Sequence, residues 1–179
     1  KEKFKLHVST SIGNLTIPQT GSIVLNGHQS KILVTDFAIG NNTITYSTAE
    51  VLTYSIIDGE PVVVLWTGAG EAAEFHIKGA KKGSAAQNGK VANATIKADS
   101  FGVLVNVPAV SGQSVYEFNN GVKVIVVDKP TGYLFWAPNL SKDPLAPVDQ
   151  SIIVGGPYLV RHVANENGVL ALKGDILKS

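Results

Sequence analysis

One Gly-rich pattern in the sequence could bind the phosphates of a dinucleotide. Residues 68–73, Gly-Ala-Gly-Glu-Ala-Ala, fit G-x-G-x-x-A and follow the apolar stretch 62–66. That fingerprint requires a helix directly after it, because the helix N-terminus holds the pyrophosphate. Here residues 75–77 have the composition of a strand, and Glu71 and Glu74 would repel phosphate. The pattern therefore predicts a tight turn between two strands and no cofactor-binding residue.

Acidic side chains are the next candidates, because paired carboxylates can act as general acid and base. Glu71 and Glu74 are close in sequence, but a strand would place them on opposite faces. Glu74 and His76 would share a face and could form a hydrogen-bonded pair. Glu50 lies on the apolar face of an alternating segment, where a carboxylate needs partners or a raised pKa. Catalysis is one explanation for Glu50; a β-bulge that rotates it outward and a buried structural hydrogen bond are commoner ones.

Metal and nucleophile chemistry lack their usual residue spacings. His7, His28, His76 and His162 lie far apart, with no His-x-His or HExxH pattern, so a metal site could form only by distant pairing. The sequence has no Gly-x-Ser-x-Gly pattern and no cysteine. We therefore expect no catalytic residue, no metal ligand and no cofactor in this chain.

Aromatic side chains make the best case for binding. Five of them could stack on sugar rings if two were exposed on one face: Tyr46, Tyr54, Trp66, Tyr133 and Trp136. Trp66 lies in an apolar stretch, so we expect it to be buried. Tyr133, Phe135 and Trp136 are predicted to pack in the core or against a neighbouring domain, with a sugar-binding platform as the alternative.

Strands must position these side chains. Between Ile44 and Ile56 the even positions are mostly large and the odd ones small or polar, which predicts an extended segment with one buried face. Asp58-Gly59 favours the positive φ of a tight hairpin turn. Residues 62–66 are apolar at every position, so the next strand should be covered on both faces. Together they predict a central hairpin.

The rest of the chain repeats this pattern of short strands and turns, with predicted turns at Asn26-Gly27, Asn41-Asn42, Asn119-Asn120-Gly121 and Asn167-Gly168. Residues 79–90 lack apolar periodicity and predict an exposed loop. Asp128, Pro130 and Pro138 predict one short helix near residues 129–137. We predict an all-β fold, an antiparallel sandwich or barrel-like domain, with residues 1–179 forming a single domain.

Composition limits the class of protein. The 179 residues are 44% hydrophobic and 16% charged, as expected for a folded domain. The net charge is +1 and no basic cluster exceeds Lys81-Lys82, so we expect no nucleic-acid partner. No apolar run approaches the roughly 18 residues of a membrane-spanning helix. Because the chain begins at Lys1 and contains no methionine, we expect it to be excised from a longer protein.

Four asparagines lie in the Asn-X-Ser/Thr pattern of N-glycosylation, namely Asn14, Asn41, Asn93 and Asn139. Composition alone would give roughly one or two such patterns. The excess favours a secreted eukaryotic protein, with chance as the alternative.

Four longer stretches occur in a fixed order: LTIPQTGSIVLNGHQSKILVTDF, YSTAEVLTYSIIDGEPVVVLWTGAGEAAEF, VIVVDKPTGYLFWAP and SIIVGGPYLVRHV. Together they resemble the second domain of the large secreted fungal β-galactosidases of glycoside hydrolase family 35, over residues 4–176. The segment 46–50 and Gly70-Glu71 are the more specific parts of the resemblance. In that family the second domain is mainly antiparallel β with one short helix.

The resemblance implies that catalysis belongs to another part of the parent protein. In that family a pair of glutamates roughly 5 Å apart acts by the retaining route on an N-terminal (β/α)₈ barrel. Such a barrel needs about 250 residues of alternating strands and helices, which this chain lacks. The fragment alone is then not an enzyme, whereas the parent is a glycosidase that hydrolyses terminal β-galactosyl residues without a cofactor.

Three functions follow from this reading. The first is an inert β domain that supports the parent's catalytic barrel, with the barrel and later β domains as its partners. The second is a carbohydrate-binding module, and the third is an adhesion-type sandwich unrelated to hydrolases. No membrane or nucleic-acid partner is expected for any of them.

Overall fold

A computed structural model describes residues 1–86, 94–141, 143, 145–147 and 151–177. Within these residues the chain forms short strands and one helical turn. In chain order the elements are β1 (Glu2–Phe4), β2 (Leu6–Thr10), β3 (Gly13–Ile17), β4 (Ile23–Leu25), β5 (Val34–Ile39), β6 (Asn42–Ser47), β7 (Glu50–Ile57), β8 (Glu60–Thr67), β9 (Ala73–Lys78), β10 (Gly83–Ala86), β11 (Thr95–Ala98), β12 (Gly102–Val107), β13 (Gln113–Phe118), β14 (Lys123–Asp128), α1 (Lys129–Gly132), β15 (Phe135–Trp136), β16 (Val154–Gly155), β17 (Leu159–Glu166) and β18 (Val169–Asp175).

Two five-stranded sheets make up the body of the fold. Their strand orders are β10-β13-β14-β8-β7 and β11-β12-β9-β6-β5. β8 and β14 run parallel, whereas the other pairs within these two sheets are antiparallel. The strands outside these sheets pair two by two, as β1-β4, β2-β3, β15-β16 and β17-β18. The all-β prediction with one short helix is confirmed.

The hydrophobic core lies between the two sheets. Phe75 on β9 meets Tyr116 and Phe118 on β13 edge-on, with ring centroids 5.7 and 6.4 Å apart. The core cluster draws buried aliphatic residues from both sheets, including Ile39, Ile44, Val63, Leu65, Ile77, Val103, Val105, Val124 and Val126. Such face-to-face packing defines a sandwich.

The alternating segment 44–56 is two strands and not one. β6 ends at Ser47 and β7 begins at Glu50, and the two strands belong to different sheets. Where the chain passes from one sheet to the other, the Ser47 hydroxyl donates a hydrogen bond to Ala49 O over 2.7 Å. A bulge between Ile44 and Tyr46 also shifts the register. The alternation predicted strands correctly but could not reveal the change of sheet.

The central hairpin prediction is confirmed. β7 pairs antiparallel with β8 across Asp58 and Gly59, whose φ angles are 53° and 81°. Residues 62–65 of β8 are all buried, as predicted for a strand covered on both faces.

The other turn predictions have mixed outcomes. The turns at Asn41, at Asn119–Gly121 and at Asn167-Gly168 join paired strands, as predicted. The prediction of a hairpin at Asn26-Gly27 is wrong, because the strands on either side of it do not pair with each other. β4 pairs with β1, and β5 pairs with β6.

The predicted helix near residues 129–137 is too long. It begins as expected, since the Asp128 side chain accepts from Thr131 N over 2.9 Å and Pro130 lies in the first turn. It ends at Gly132, and Phe135–Trp136 forms β15 because it pairs with β16, nearly twenty residues later.

The exposed-loop prediction for residues 79–90 is also wrong in part. Residues 83–86 form β10, which pairs with β13; residues 87–90 lie outside the described residues. Among the residues described, no helix is long and apolar enough to cross a membrane.

Candidate functional site

A cavity of about 310 Å³ lies beside the start of β9. Its wall combines the turn between β8 and β9 with segments near the N-terminus. The charged and amide side chains that line it include Lys31, Glu71, Glu74 and Asn106. Two carboxylates therefore line one cavity, although the sequence predicted that they would face apart. The prediction failed because Glu71 precedes β9 and only Glu74 belongs to the strand.

The Glu71 carboxylate is held by three donors at the end of β8. Its Oε2 accepts hydrogen bonds from Lys31 Nζ at 2.6 Å, from Thr67 Oγ1 at 2.8 Å and from Gly68 N at 3.2 Å. A Cβ at position 68 would lie 2.7 Å from Glu71 Cδ, so a larger residue there would displace this carboxylate from its donors. Burial acts to raise the pKa of Glu71, but the hydrogen bonds from Lys31 and Thr67 outweigh burial and bring the pKa below its ordinary value. Glu71 is therefore an ionised partner of Lys31.

The Glu74 carboxylate is buried, and both of its oxygens are occupied. Oε1 accepts from Gln19 N at 2.5 Å and from the Tyr46 hydroxyl at 2.8 Å. Oε2 accepts from Thr20 N at 3.0 Å and from Asn106 Nδ2 at 3.3 Å. A carboxylate has about four lone-pair sites, and these four donors fill them. Glu74 thus fastens the N-terminal segment to the outer face of β9.

Tyr46 is locked as a hydrogen-bond donor to Glu74. Burial, followed by the negative charge of Glu74, raises the pKa of Tyr46 far above its ordinary value. The ring also stacks on His76, with centroids 6.3 Å apart and planes 11° from parallel. The three side chains form one buried polar layer on the face of β9 that points away from the sandwich core.

His76 shares this face with Glu74, as predicted, but its ring contacts other polar groups. Its Nδ1 lies 2.8 Å from Thr45 Oγ1, and its Nε2 lies 3.3 Å from Asp99 Oδ2. Burial acts to raise the pKa of Asp99, but the backbone N–H donors of Phe101 and Gly102, together with His76, outweigh it and lower the pKa. The arrangement supports the turn before β12.

The remaining histidines do not join His76. His7 Nδ1 contacts Thr16 Oγ1 at 2.9 Å in the β2-β3 hairpin, and His28 and His162 are exposed. Across the described part of the chain, no group of three or more His, Cys, Asp or Glu side chains could hold a metal ion.

Glu50 has structural partners. Its Oε1 accepts from Ile32 N at 3.1 Å, and its Oε2 lies 3.5 Å from Lys129 Nζ, with the side chain 15% exposed. A bulge also interrupts β7 between Val51 and Thr53. Glu50 thus accepts a structural hydrogen bond and lies beside a lysine, in a half-buried position and not the fully buried one that its place on the apolar face predicted.

The Gly-rich pattern at residues 68–73 is a turn, as predicted. It joins β8 to β9, and the loop before β13 clamps it through two backbone bonds: Gly70 N to Val110 O at 2.7 Å and Val110 N to Glu71 O at 2.8 Å. A strand follows the pattern where a dinucleotide site needs a helix.

Four of the aromatic residues form two groups, Trp66 with Tyr133 and Phe135 with Trp136. Trp66 was predicted to be buried, but it is only half-buried. The Tyr133 ring meets the Trp66 ring edge-on, with centroids 5.8 Å apart, and Lys129 Nζ lies 5.4 Å from the Trp66 ring centroid. Tyr133 is 66% exposed. Phe135 and Trp136 are half-buried on β15, and Trp136 Nε1 donates to Pro157 O over 3.0 Å. Trp66, Lys129 and Tyr133 form a small surface patch, called here the Tyr133 patch.

The asparagines of the four glycosylation patterns differ in their surroundings. Asn14 and Asn41 are exposed, and Asn14 Oδ1 accepts from Ser9 Oγ at 2.8 Å. Asn139 is half-buried and hydrogen-bonded to its own loop. Asn93 lies outside the described residues.

Sequence reasoning missed Lys31, Asp99 and Asn106. Each lies far along the chain from its partner, for example 40 residues between Lys31 and Glu71. The residues that neighbour each of these side chains in sequence carry no signal for such distant pairing.

Comparison with known proteins gives concordant matches. Residues 1–135 match the family model described as β-galactosidase, domain 2, and residues 136–179 match the model of β-galactosidase, domain 3. A probable β-galactosidase B from Pyrenophora tritici-repentis is 65% identical over 179 residues, which cover 99% of this chain and 18% of that protein. The proteins of the same name from Emericella nidulans and Aspergillus terreus are 49% and 48% identical over 175 residues, covering 97% of this chain and 17% of each protein.

The chain thus spans less than a fifth of the length of these relatives. The two family models meet between residues 135 and 136, within β15. That residues 1–179 form one domain stays a prediction.

Proposed function

The chain belongs to the β-galactosidase domain 2 family, as its sequence resemblance predicted, and we propose that it is a non-catalytic β domain of a larger secreted β-galactosidase of glycoside hydrolase family 35. In this proposal it packs against a separate catalytic barrel and supports it. The parent hydrolyses terminal β-galactosyl residues. The observation that carries the proposal is that hydrogen-bond donors already hold both carboxylates that line the cavity, Glu71 and Glu74.

A retaining glycosidase needs one protonated carboxyl group with a raised pKa and one carboxylate free to attack the sugar. The pKa of Glu71 is shifted downward, because Lys31 and Thr67 hold its ionised form. The Glu74 side chain is 1% exposed and has four donors on its two oxygens. Lys31 and Thr67 thus hold Glu71 in its ionised form, and burial with four donors leaves Glu74 no oxygen free to meet a substrate, so the cavity is better explained as part of the scaffold.

Exposed apolar side chains support the docking role. The Tyr133 patch presents an aromatic ring and a lysine at the end of β8. The β17-β18 ribbon also exposes large apolar residues, namely Val169, Leu170 and Leu172. A two-stranded ribbon is at best marginally stable alone. We infer that the later β domains of the parent cover this ribbon and that the barrel covers the Tyr133 patch.

The test is a substitution in the full-length parent. Glu71→Gln should change kcat for a chromogenic β-galactoside far less than the roughly 10²- to 10⁴-fold loss caused by removing a general acid or base. Glu117→Gln, in an exposed pair with Lys123, is the matched control. A fall of kcat by several orders of magnitude in Glu71→Gln alone, with the fold intact, would refute the scaffold role.

A carbohydrate-binding module is the second candidate, favoured by the exposed Tyr133 ring beside Trp66. Aromatic rings on one surface can stack on sugars. Titration of galactose and galacto-oligosaccharides against the chain and its Tyr133→Ala variant distinguishes the two functions. Saturable binding that Tyr133→Ala abolishes supports the module, and no binding supports the scaffold.

A further inference from the structure

We propose that Asn41 carries an N-linked glycan in the parent protein and that Asn139 does not, although both lie in the same acceptor pattern. The proposal rests on the proposed secretion of the parent. It is carried by the different hydrogen bonding and exposure of the two side-chain amides.

Asn41 lies at the tip of the β5-β6 hairpin. Its side chain is exposed, and within the described residues no hydrogen bond engages its amide. The next residue holds the turn instead, since Asn42 Oδ1 accepts from Asn120 Nδ2 at 3.0 Å. A sugar on Asn41 Nδ2 would therefore extend into solvent without breaking a contact of the fold.

The Asn139 side-chain amide forms hydrogen bonds within its own loop. Nδ2 donates to Pro147 O at 3.2 Å and to Ala146 O at 3.5 Å, and Oδ1 accepts from Ser141 N at 2.7 Å. The residue is half-buried and bridges Ser151. A glycan on Nδ2 would remove one of its two N–H donors and force a sugar ring against this loop.

The modification is a transfer from a lipid-linked oligosaccharide pyrophosphate. The amide nitrogen of Asn41 forms a bond to C1 of the first sugar and loses one proton. The bond between C1 and the pyrophosphate oxygen breaks, and the lipid pyrophosphate leaves. No oxidation or reduction takes place.

The position of Asn41 agrees with the docking role. Gly40 beside it approaches Ile56 and Pro61, so this tip lies at the end of the sandwich where the β7-β8 hairpin turns. From Glu60 at that end, β8 extends to Thr67 over about 23 Å at ~3.3 Å per residue. The Tyr133 patch lies at the far end of β8. A glycan at Asn41 would leave that patch free to be covered.

The experiment uses the full-length parent secreted by a filamentous fungus. Glycans are removed enzymatically in ¹⁸O-water, which converts each occupied asparagine to a labelled aspartate, and the peptides are read by mass spectrometry. We expect label at position 41 and unlabelled asparagine at position 139. Thr43→Ala should abolish the label at 41, whereas Thr43→Ser, which keeps the acceptor pattern, should retain it.

Asn41→Gln at the exposed turn provides a second variant if Thr43→Ala fails to fold. An unlabelled Asn41 in parent molecules that carry label elsewhere, or label at Asn139, overturns the proposal. A parent that remains inside the cells contradicts the proposed secretion instead. In that case a parent fused to a yeast secretion leader allows the label to be measured at positions 41 and 139. A failure of the proposed secretion is thereby distinguished from a failure of the glycosylation proposal.

Discussion

Tyr46 and Tyr116 are both fully buried, but their hydroxyl groups differ in their partners. Tyr46 donates to Glu74 over 2.8 Å. The Tyr116 hydroxyl has no partner in hydrogen-bond geometry among the described residues. Burial raises the pKa of Tyr116, and Ser114 is close enough to lower it, though by less. The two residues therefore test whether the polar layer on β9 stabilises the fold.

We expect Tyr46→Phe to lower the free energy of unfolding by roughly 1–3 kcal/mol, because it removes a buried donor to a carboxylate. Tyr116→Phe should be neutral or stabilising, because it removes an unsatisfied buried hydroxyl. Urea unfolding of the chain, followed by tryptophan fluorescence, measures both. Equal losses in the two variants would contradict this account of the layer.

The pKa of Glu71 gives a pH dependence with a definite sign. Its pKa in the folded chain lies below the ordinary value of 4.5, so the unfolded chain binds this proton more readily. Its contribution to stability is present above about pH 4.5 and is lost as the pH falls through the folded-state pKa. We expect the free energy of unfolding to fall below about pH 5, with a shallower decline in Glu71→Gln.

Urea midpoints measured across this acidic range give the slopes. Glu117→Gln, whose carboxylate is 48% exposed, serves as the control and should keep the slope of the unmodified chain. A Glu71→Gln variant with an unchanged slope would show that the bond to Lys31 does not couple to folding.

At the scale of elements, turns were predictable because their signals are local. Asp58-Gly59 and Asn167-Gly168 adopt positive φ at both residues and join the strands on either side. The helix start at Asp128 was equally local. Each of these predictions depended only on neighbouring residues and on the steric freedom of Gly, Asn and Asp.

Features set by distant partners could not be predicted. Alternation continues from β6 into β7, so it hides the crossing between sheets. β10 carries no apolar pattern and is a strand because it pairs with β13. The parallel pairing of β8 with β14 joins residues about sixty positions apart. In the candidate site, the sequence predicted that Glu74 shares a strand face with His76, but it could not predict the donors Gln19 and Tyr46.

Asp128 joins two elements and gives a prediction at this scale. Besides capping α1 at Thr131 N, it accepts from Gly112 N at 2.7 Å. We expect Asp128→Ala to cost about 2 kcal/mol, because a helix cap and a second backbone bond are lost together. Asp175→Ala, which breaks an exposed pair with Arg161, should cost clearly less, because water screens the pair. Thermal unfolding of both variants makes the comparison, and equal costs would contradict it.

At the scale of the whole molecule, the two ends of the sandwich should behave differently in the parent. We expect amide exchange around α1 and Tyr133 to be slower in the full-length protein than in the isolated chain, because the proposed function places the barrel over this end. Exchange at the β5-β6 turn beside Asn41 should be the same in both. Hydrogen–deuterium exchange with mass spectrometry measures this, and equal rates around Tyr133 would contradict the docking role.

The central proposal is that this chain does not cleave sugars by itself. The most direct measurement incubates the purified 179-residue chain, shown to be folded by its tryptophan fluorescence, with a chromogenic β-galactoside beside the full-length parent. We predict hydrolysis by the parent and none by the chain above the buffer background. Hydrolysis by the chain that disappears in Glu71→Gln or Glu74→Gln would contradict the claim.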